Sequence, residues 1–476
     1  MDQNNLDNTR PTPPRRRRKR SKWQDFKEAY LPVIIVALAV LMIVAFIAGS
    51  VSRANAGKPD ETQPNETQQT EDPNVALQEE AQRLMAEADR LASMLDYEGA
   101  IATLTAFHGD MTTVEGMWDK YNEYSNAHAA LIPFDDVDYV PNLSFNVLMA
   151  DLDRAMADPN YGNQFNRNYI TTGEFYAILQ QLYDNGYILV SVYDLAPKTV
   201  AADGSVSIQE GRLYLPEGKK PITLTQAGGN FFTYMVDGDG DGMADKDGSG
   251  FPSRLVLDAS GELTCEYIDA EGNVLTGSYD FVTILNEFVD AHPDFSYRGA
   301  RATIAFTGYD GLLGYRTDGE TSEKLGAEFY NQQLSEIQPI LAKLREDGYD
   351  FGCYTYDMAN FGEMSLASIQ SDLAMWRDEV LPVLGEVDIL VYPYGGDIGG
   401  TKEYSGEKYN ALKDFGFNYF IGQDSATRAW GQITDSYFRQ TRRNVTGALL
   451  YYSYSYYEDL FDATKLIDSA RGEVPQ

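Results

Sequence analysis

From residue 133 onward, short apolar runs alternate with amphipathic helical patterns for more than 300 residues, and no other feature narrows the fold so far. Leu143–Met149, Tyr187–Val192, Ile222–Thr225, Ala302–Thr307, Phe351–Thr355, Ile389–Tyr392 and Tyr419–Ile421 have the length and composition of buried strands. Between them, Thr172–Asp184, Phe281–Ala291, Glu328–Arg345, Leu366–Leu381 and Tyr404–Phe415 have helical spacing. Several of these helices end in glycine, as at Asn185-Gly186, Asp347-Gly348 and Phe415-Gly416, where a left-handed residue closes the last turn. Repeated β-α units predict a parallel barrel or an open α/β sheet, with chemistry at the C-terminal ends of the strands. One stretch breaks the rhythm. Residues 254–268 and 273–278 read as short alternating strands with turns at Ser260-Gly261 and Glu271-Gly272, a β insertion over about residues 229–280.

The N-terminal part has a different character. Leu31 to Gly49 is an uncharged, almost wholly apolar run of 19 residues. As a helix it spans about 28 Å, the thickness of a bilayer's hydrocarbon core. Arg15 to Arg20 and Lys22 precede it, so the positive-inside rule predicts a cytoplasmic basic tail (1–30), a single transmembrane helix (31–50) and an extracytoplasmic remainder. Ala54-Asn55-Ala56 would serve a signal peptidase, but the apolar run is longer than the usual h-region and favours an uncleaved anchor. Residues 51–74 are rich in Asn, Gln, Glu, Thr and Pro without apolar period and read as a disordered linker. From Asp72-Pro73 a helical pattern begins, with Leu77, Ala81, Leu84, Ala88, Leu91 and Leu95 three or four apart. Two shorter helical patterns follow, and together 75–131 form a helical stalk ahead of the main domain at 132–470.

Charge and composition exclude several functions. Residues 51–476 hold 29 basic and 68 acidic side chains, a net charge of −39, which repels phosphate backbones and rules out nucleic acid as the main partner. Two cysteines, Cys265 and Cys353, exclude a disulfide scaffold or a multi-cysteine zinc module. Only three histidines are present, at 108, 128 and 292.

From about Pro141 to Phe461 the chain resembles the polysaccharide deacetylase (NodB-homology) family. Thr172-Gly-Glu-Phe175 through Leu195 is similar to that family's pre-catalytic helix and strand, and Lys220-Pro-Ile-Thr-Leu-Thr225 to the strand entering its first motif. Asp350 to Met358 falls at its second motif, and Val391-Tyr-Pro-Tyr-Gly395 resembles its third. The resemblance implies an α/β fold, a distorted (β/α)7-type barrel. It also implies hydrolysis of a sugar-borne acetyl group by a divalent ion, usually zinc, held by one Asp and two His spaced i and i+4, with a second Asp as base. The first motif, normally Thr-Phe-Asp-Asp-Gly, reads Thr225-Gln226-Ala227-Gly228-Gly229, so Ala227 replaces the base and Gly228 the metal ligand. Tyr354 and Met358 stand at the two histidine places, and Val391 at that of a supporting Arg. No two histidines are four apart and none follows 292, so the second motif's pair and a family histidine near the C-terminus are missing in any alignment. Asn146 stands where many membrane-anchored relatives have a His. No zinc is expected.

Three other groups of residues bear on function. Asp237-Gly-Asp-Gly-Asp-Gly-Met-Ala-Asp245 has calcium-loop spacing, with Asp237, Asp239 and Asp241 at positions 1, 3 and 5, the Met243 carbonyl at 7 and Asp245 at 9. Position 12, where a bidentate Glu belongs, is Gly248. Tyrosine is abundant, at 33 residues. Tyr354, Tyr356, Tyr392 and Tyr394 fall at strand ends where a cleft would open, with Asp397 nearby; they would either stack on sugar rings or fill the vacated site as packing. Tyr394, beside Gly395-Gly396, is expected exposed, and Tyr392 deeper in the barrel. Phe438 to Arg443 resembles a segment on a late strand of the same family, and its Arg439, Arg442 and Arg443 either pair with acids or meet an anionic ligand. The reading that follows is a membrane-anchored, extracytoplasmic relative of polysaccharide deacetylases that has lost its catalytic groups and holds a cell-envelope glycan or partner. A hydrolase with a rebuilt site and a purely structural partner-binding module remain open, as does oligomeric state.

Overall fold

The computed structural model describes residues 73–423 and 428–475. The basic tail and the transmembrane span expected from the sequence lie outside the described residues, as does nearly all of the linker. Among the described residues, no helix is long and apolar enough to cross a membrane.

Three helices come first: α1 (Pro73–Ser93), α2 (Tyr97–Thr105) and α3 (Met117–Ala129). They bury Ala81, Leu84, Ala88, Leu104, Met117 and Tyr124 among themselves. Small side chains along α1 let α2 lie close against it. Leu77, expected on the buried stripe, is exposed instead, because it precedes the point where α2 and α3 cover α1. The helical unit docks on the barrel through the turn after α1. The Arg298 N–H donates to the Met94 carbonyl (2.8 Å), and the Arg298 guanidinium pairs with Glu98 (2.6 Å) and Asp96 (3.6 Å).

The barrel has seven strands: β1 (Asn142–Phe145), β2 (Lys220–Ala227), β3 (Thr303–Phe306), β4 (Asp350–Cys353), β5 (Ile389–Val391), β6 (Tyr419–Gln423) and β7 (Phe438–Asn444). Each pairs in parallel with the next in sequence, and β7 pairs with β1 to close the ring. Helices Thr172–Asp184, Phe281–Ala291, Ala327–Glu346, Leu366–Glu379 and Glu407–Phe415 form the crossovers up to β6. The Thr172–Asp184 helix starts with a reciprocal cap in which the Thr171 hydroxyl accepts from the Glu174 N–H and the Glu174 carboxylate accepts from the Thr171 N–H.

Alternation along each strand sorts side chains into two layers. Leu143, Phe145, Leu224, Ile304, Phe351 and Phe420 face the helices. Ala305, Ile389, Val391, Tyr419, Ile421 and Phe438 fill one side of the lumen. The other side is polar: Asn142 and Thr223 both donate to the Gln440 side-chain oxygen (3.0 Å each), and Thr225 donates to Asn142 (3.0 Å).

Two departures from the sequence expectation follow from this layering. Tyr187–Leu189, apolar enough for a core strand, pairs with the start of β2, bridges to Ser296 and lies outside the ring. Its place as a ring member is taken by β7, Phe-Arg-Gln-Thr-Arg-Arg-Asn, whose Gln440 and Arg442 meet the polar side of the lumen while Arg439 and Arg443, on the other face, pair with Asp397 and Asp459. The insertion between β2 and β3 is a three-stranded antiparallel sheet, Arg254–Leu257, Leu263–Ile268 and Val274–Gly277. Its two hairpin turns carry Gly261 and Gly272 at φ +88° and +86°.

Candidate functional site

The loops that follow β1 to β7 form the mouth at the C-terminal end of the barrel. The residues that the resemblance placed at motif positions are all here or in the wall beneath. Ala227 and Val391 are buried at the ends of β2 and β5, and Gly228 turns the chain at φ +79° with its N–H donating to the Ala305 carbonyl (3.0 Å). Tyr354 is partly buried, its N–H held by the Phe306 carbonyl (2.8 Å). Met358 packs partly against the outer core. Together these positions offer alkyl groups, a thioether and one phenol. None of them is an imidazole or carboxylate, so they do not suit a catalytic zinc, which takes nitrogen, thiolate or carboxylate ligands. Gln226 points the other way. In register with Phe145 and Ile304, it lies in the helix-facing layer, and neither of its amide atoms has a hydrogen-bond partner among the described residues.

The tyrosines divide by environment. Tyr394 is 71 % exposed, whereas Tyr392 is fully buried. Tyr392 does not point into the lumen: its ring belongs to the helix-facing layer, stacked on Phe420 with centroids 6.3 Å apart. Tyr356 donates its hydroxyl to Glu379 (2.8 Å), and Asp372 accepts the Tyr356 and Asp357 N–H groups (2.8 and 3.1 Å), which pins that loop. Asp397 accepts from Arg439 (2.8 Å), from the Tyr404 hydroxyl (2.7 Å) and from the Gly399 N–H (2.7 Å). Its carboxylate is thereby occupied within the protein. Asn146 donates to the Asn168 carbonyl (3.1 Å).

Of the three arginines of β7, Arg439 pairs with Asp397, and Arg443 binds both oxygens of Asp459 (2.8 and 3.0 Å). Arg442 differs. It is buried beneath the mouth, 5.8 Å from the Tyr354 ring centre, and its partners are neutral: Ser144 (3.1 Å), Asn444 (2.8 Å) and the Tyr392 carbonyl (2.8 Å). Among the described residues it meets no carboxylate.

Sequence reasoning missed a second set of aromatic residues. Tyr169 follows β1, Tyr234 follows β2 and Tyr309 follows β3. The Tyr169 and Tyr234 hydroxyls are 3.1 Å apart. Burial pushes the Tyr169 hydroxyl well above the usual phenol range, and Tyr234, Tyr354 and Tyr394 stand close enough to add to that. Only the separate loops carrying them betray these residues in the sequence, and loops have no periodicity to read.

The backbone is strained around the same mouth. Among the described residues, eight non-glycine residues have positive φ, and six of them, Phe231, Asp310, Leu313, Thr355, Met358 and Tyr394, lie in the loops after β2, β3, β4 and β5. Such conformations cost on the order of 1–3 kcal/mol each and gather where a loop's shape matters.

Beside the mouth, the Asp237–Asp245 loop is curled on itself. Asp237, Asp239 and Asp245 each bring a carboxylate oxygen within 4.8 Å of the others. Asp237 accepts the Gly240 and Gly242 N–H groups (2.6 Å each), which leaves Gly240 and Gly242 at φ +82° and +94°. Asp241 stands apart from this trio and accepts from the Met243 N–H (2.8 Å). Cys265, in the insertion, and Cys353, on β4, are both buried free thiols.

No protein-family model matches the sequence, and no curated protein matches it. Two solved structures are similar in part. One is a Streptococcus pyogenes deacetylase in complex with acetate, at 11% identity over 65% of this chain and 94% of that chain, with a TM-score of 0.33. The other is a polysaccharide deacetylase from Bacillus cereus, at 13% identity over 65% of each chain, also with a TM-score of 0.33.

Proposed function

We propose that the protein is a membrane-anchored, extracytoplasmic barrel that binds a cell-envelope glycan at its C-terminal mouth without hydrolysing it. The observation that supports this best is the pairing of a strained, tyrosine-lined mouth with motif positions that lack ligands. Ala227, Gly228, Tyr354, Met358 and Val391 leave nothing to hold a zinc ion or activate water, yet the loops around them keep six residues in costly left-handed conformations. A relic with no remaining role has no reason to retain that strain. Tyr394 and Tyr354 present rings of the kind that stack on sugars, and Tyr356 is held beside them by Glu379. The order of the sequence motifs, which resembles the polysaccharide deacetylases, favours a sugar over other ligands. The run at 31–50 supplies the anchor.

Calcium belongs to the proposal as a structural ion. The Asp237–Asp245 loop would hold it through Asp237, Asp239 and Asp245, with position 12 left to water.

The test is a pull-down of the full chain on insoluble cell-wall glycan, run beside an acetate-release assay on the same material. Retention of the wild type, its loss in Tyr394→Ala with an unchanged melting temperature, and no acetate released are the expected results. Acetate released in proportion to enzyme, or one tightly bound zinc per chain by elemental analysis, would overturn the non-catalytic reading. Absence of retention in the wild type would overturn the glycan.

A further inference from the structure

Beside the mouth lies a groove that the motif positions do not explain. Two spaces, of about 480 Å³ and 300 Å³, share Thr233, Tyr234, Tyr309 and Asp310, so they lie side by side over the loops after β2 and β3. Their combined size falls in the range of small-ligand sites.

The walls have two chemistries. The first is aromatic. Tyr309 is 52 % exposed and Tyr234 39 % exposed, so both rings are open to a ligand. Tyr234 is kept in place by Tyr161 on one side, with centroids 5.2 Å apart, and by Phe232, stacked at 5.9 Å, on the other. The open rings therefore belong to a rigid platform. The second is acidic. Asp237, Asp241, Asp310, Asp318, Glu320 and Asp357 line the larger space, against one base, Lys324. Glu320 already pairs with that base at 2.9 Å. Asp310 is aimed by the Thr233 N–H and hydroxyl (2.9 and 2.8 Å), at a backbone φ of +60°. Asp357 is exposed, and its position is set by the bond of its N–H to Asp372.

A neutral sugar would use the rings and leave the carboxylates idle, and an anionic glycan would be repelled. An ammonium group uses both walls: it donates charge-assisted hydrogen bonds to carboxylates and is attracted to tyrosine faces. We infer that this groove selects a glycan whose sugars carry free amino groups, in preference to the same glycan N-acetylated. The inference rests on the glycan-binding reading given above and adds the charge state of the ligand to it.

The test is isothermal titration of the full chain with three probes: a β-1,4-linked glucosamine tetramer, the matching N-acetylglucosamine tetramer and tetralysine. A chelator keeps Asp237, which also belongs to the calcium loop, uncomplexed. The glucosamine tetramer is expected to bind roughly tenfold or more tightly than its acetylated counterpart, a preference that shrinks as salt is added. Asp357→Asn should reduce that preference, and Tyr309→Ala should weaken both sugars, with melting temperatures held at the wild-type value because both side chains are exposed. If the acetylated tetramer binds as tightly or more tightly, selection by charge is wrong while glycan binding stands. If tetralysine binds as tightly as the glucosamine tetramer, the groove takes basic peptides or any cation, and the inference is overturned. If neither sugar binds, the glycan reading itself fails and this inference with it.

Discussion

At the scale of single residues, environment separates side chains that the sequence presents as equals. Tyr392 and Tyr394 lie two apart on the same segment, yet one is sealed under the crossover helices and the other stands open at the mouth. Tyr392→Ala should cost about 3–5 kcal/mol, in line with large aromatic truncations in cores. Tyr394→Ala should cost under about 0.5 kcal/mol, as for exposed positions. Paired thermal or urea melts read both values, and equal losses would contradict the burial pattern. Gln226 is the opposite case, a polar residue in an apolar layer. Because its amide finds no partner, Gln226→Met should be neutral or raise stability by up to about 1–3 kcal/mol, the penalty of an unmet buried polar group. A melting temperature lower than that of the wild type would show that the amide is satisfied after all.

At the scale of elements, what could be read depended on whether an element declares itself locally. The crossover helices at Thr172–Asp184 and Phe281–Ala291 have the expected bounds, because each combines an apolar stripe with an N-cap residue, Thr171 or Asp280. Strand β7 resists hydropathy: four of its seven residues are Arg or Gln, and they are buried only because distant residues satisfy them, Asn142, Thr223 and Ser144 on neighbouring strands and Asp397 and Asp459 outside them. Tyr187–Leu189 errs the other way, being apolar because it caps the barrel's N-terminal end rather than because it belongs to the ring. The Asp237–Asp245 loop declares itself through alternating Asp and Gly. Millimolar calcium should raise the melting temperature, by the mass action of an ion that binds only the folded loop, with a dissociation constant on the order of 10⁻⁴–10⁻³ M. Asp237→Ala combined with Asp239→Ala should abolish the shift, and a full shift in that double variant would place the ion elsewhere.

At the scale of the whole molecule, the N-terminal end of the barrel holds a cluster of carboxylates of its own, far in sequence from one another. At the N-terminal end, the Ser191 hydroxyl donates to Asp350 (2.6 Å), its N–H donates to Asp194 (2.9 Å), and Tyr193 and Lys198 both donate to Asp388 (2.6 Å each). Burial, with the charges of Asp194 and Asp388 behind it, pushes the Asp350 carboxyl up to about 7 despite the Ser191 bond; burial likewise raises Asp194 to about 6. Both titrate near 3.8 when unfolded. Across that window the folded chain keeps protons that the unfolded chain has lost, so these two groups favour folding at acid pH and lose that contribution as pH rises toward 7. Melting temperatures of Asp350→Asn minus wild type should therefore grow more positive between pH 5 and pH 8; a flat difference would mean Asp350 is ionised throughout. The alternation of apolar strands and capped helices determined by itself that the chain folds as a parallel α/β body, and left barrel and open sheet undivided. The positions of the three histidines determined by themselves that no His pair spaced i and i+4 exists in the chain. Both are local properties of spacing and residue count. The ring membership of β7, the outward turn of Gln226 and Tyr392, and the convergence of Tyr169, Tyr234, Tyr309 and Tyr394 on one mouth were decided only in three dimensions, because they depend on pairings between residues tens to hundreds of positions apart, and chain spacing carries no trace of such contacts.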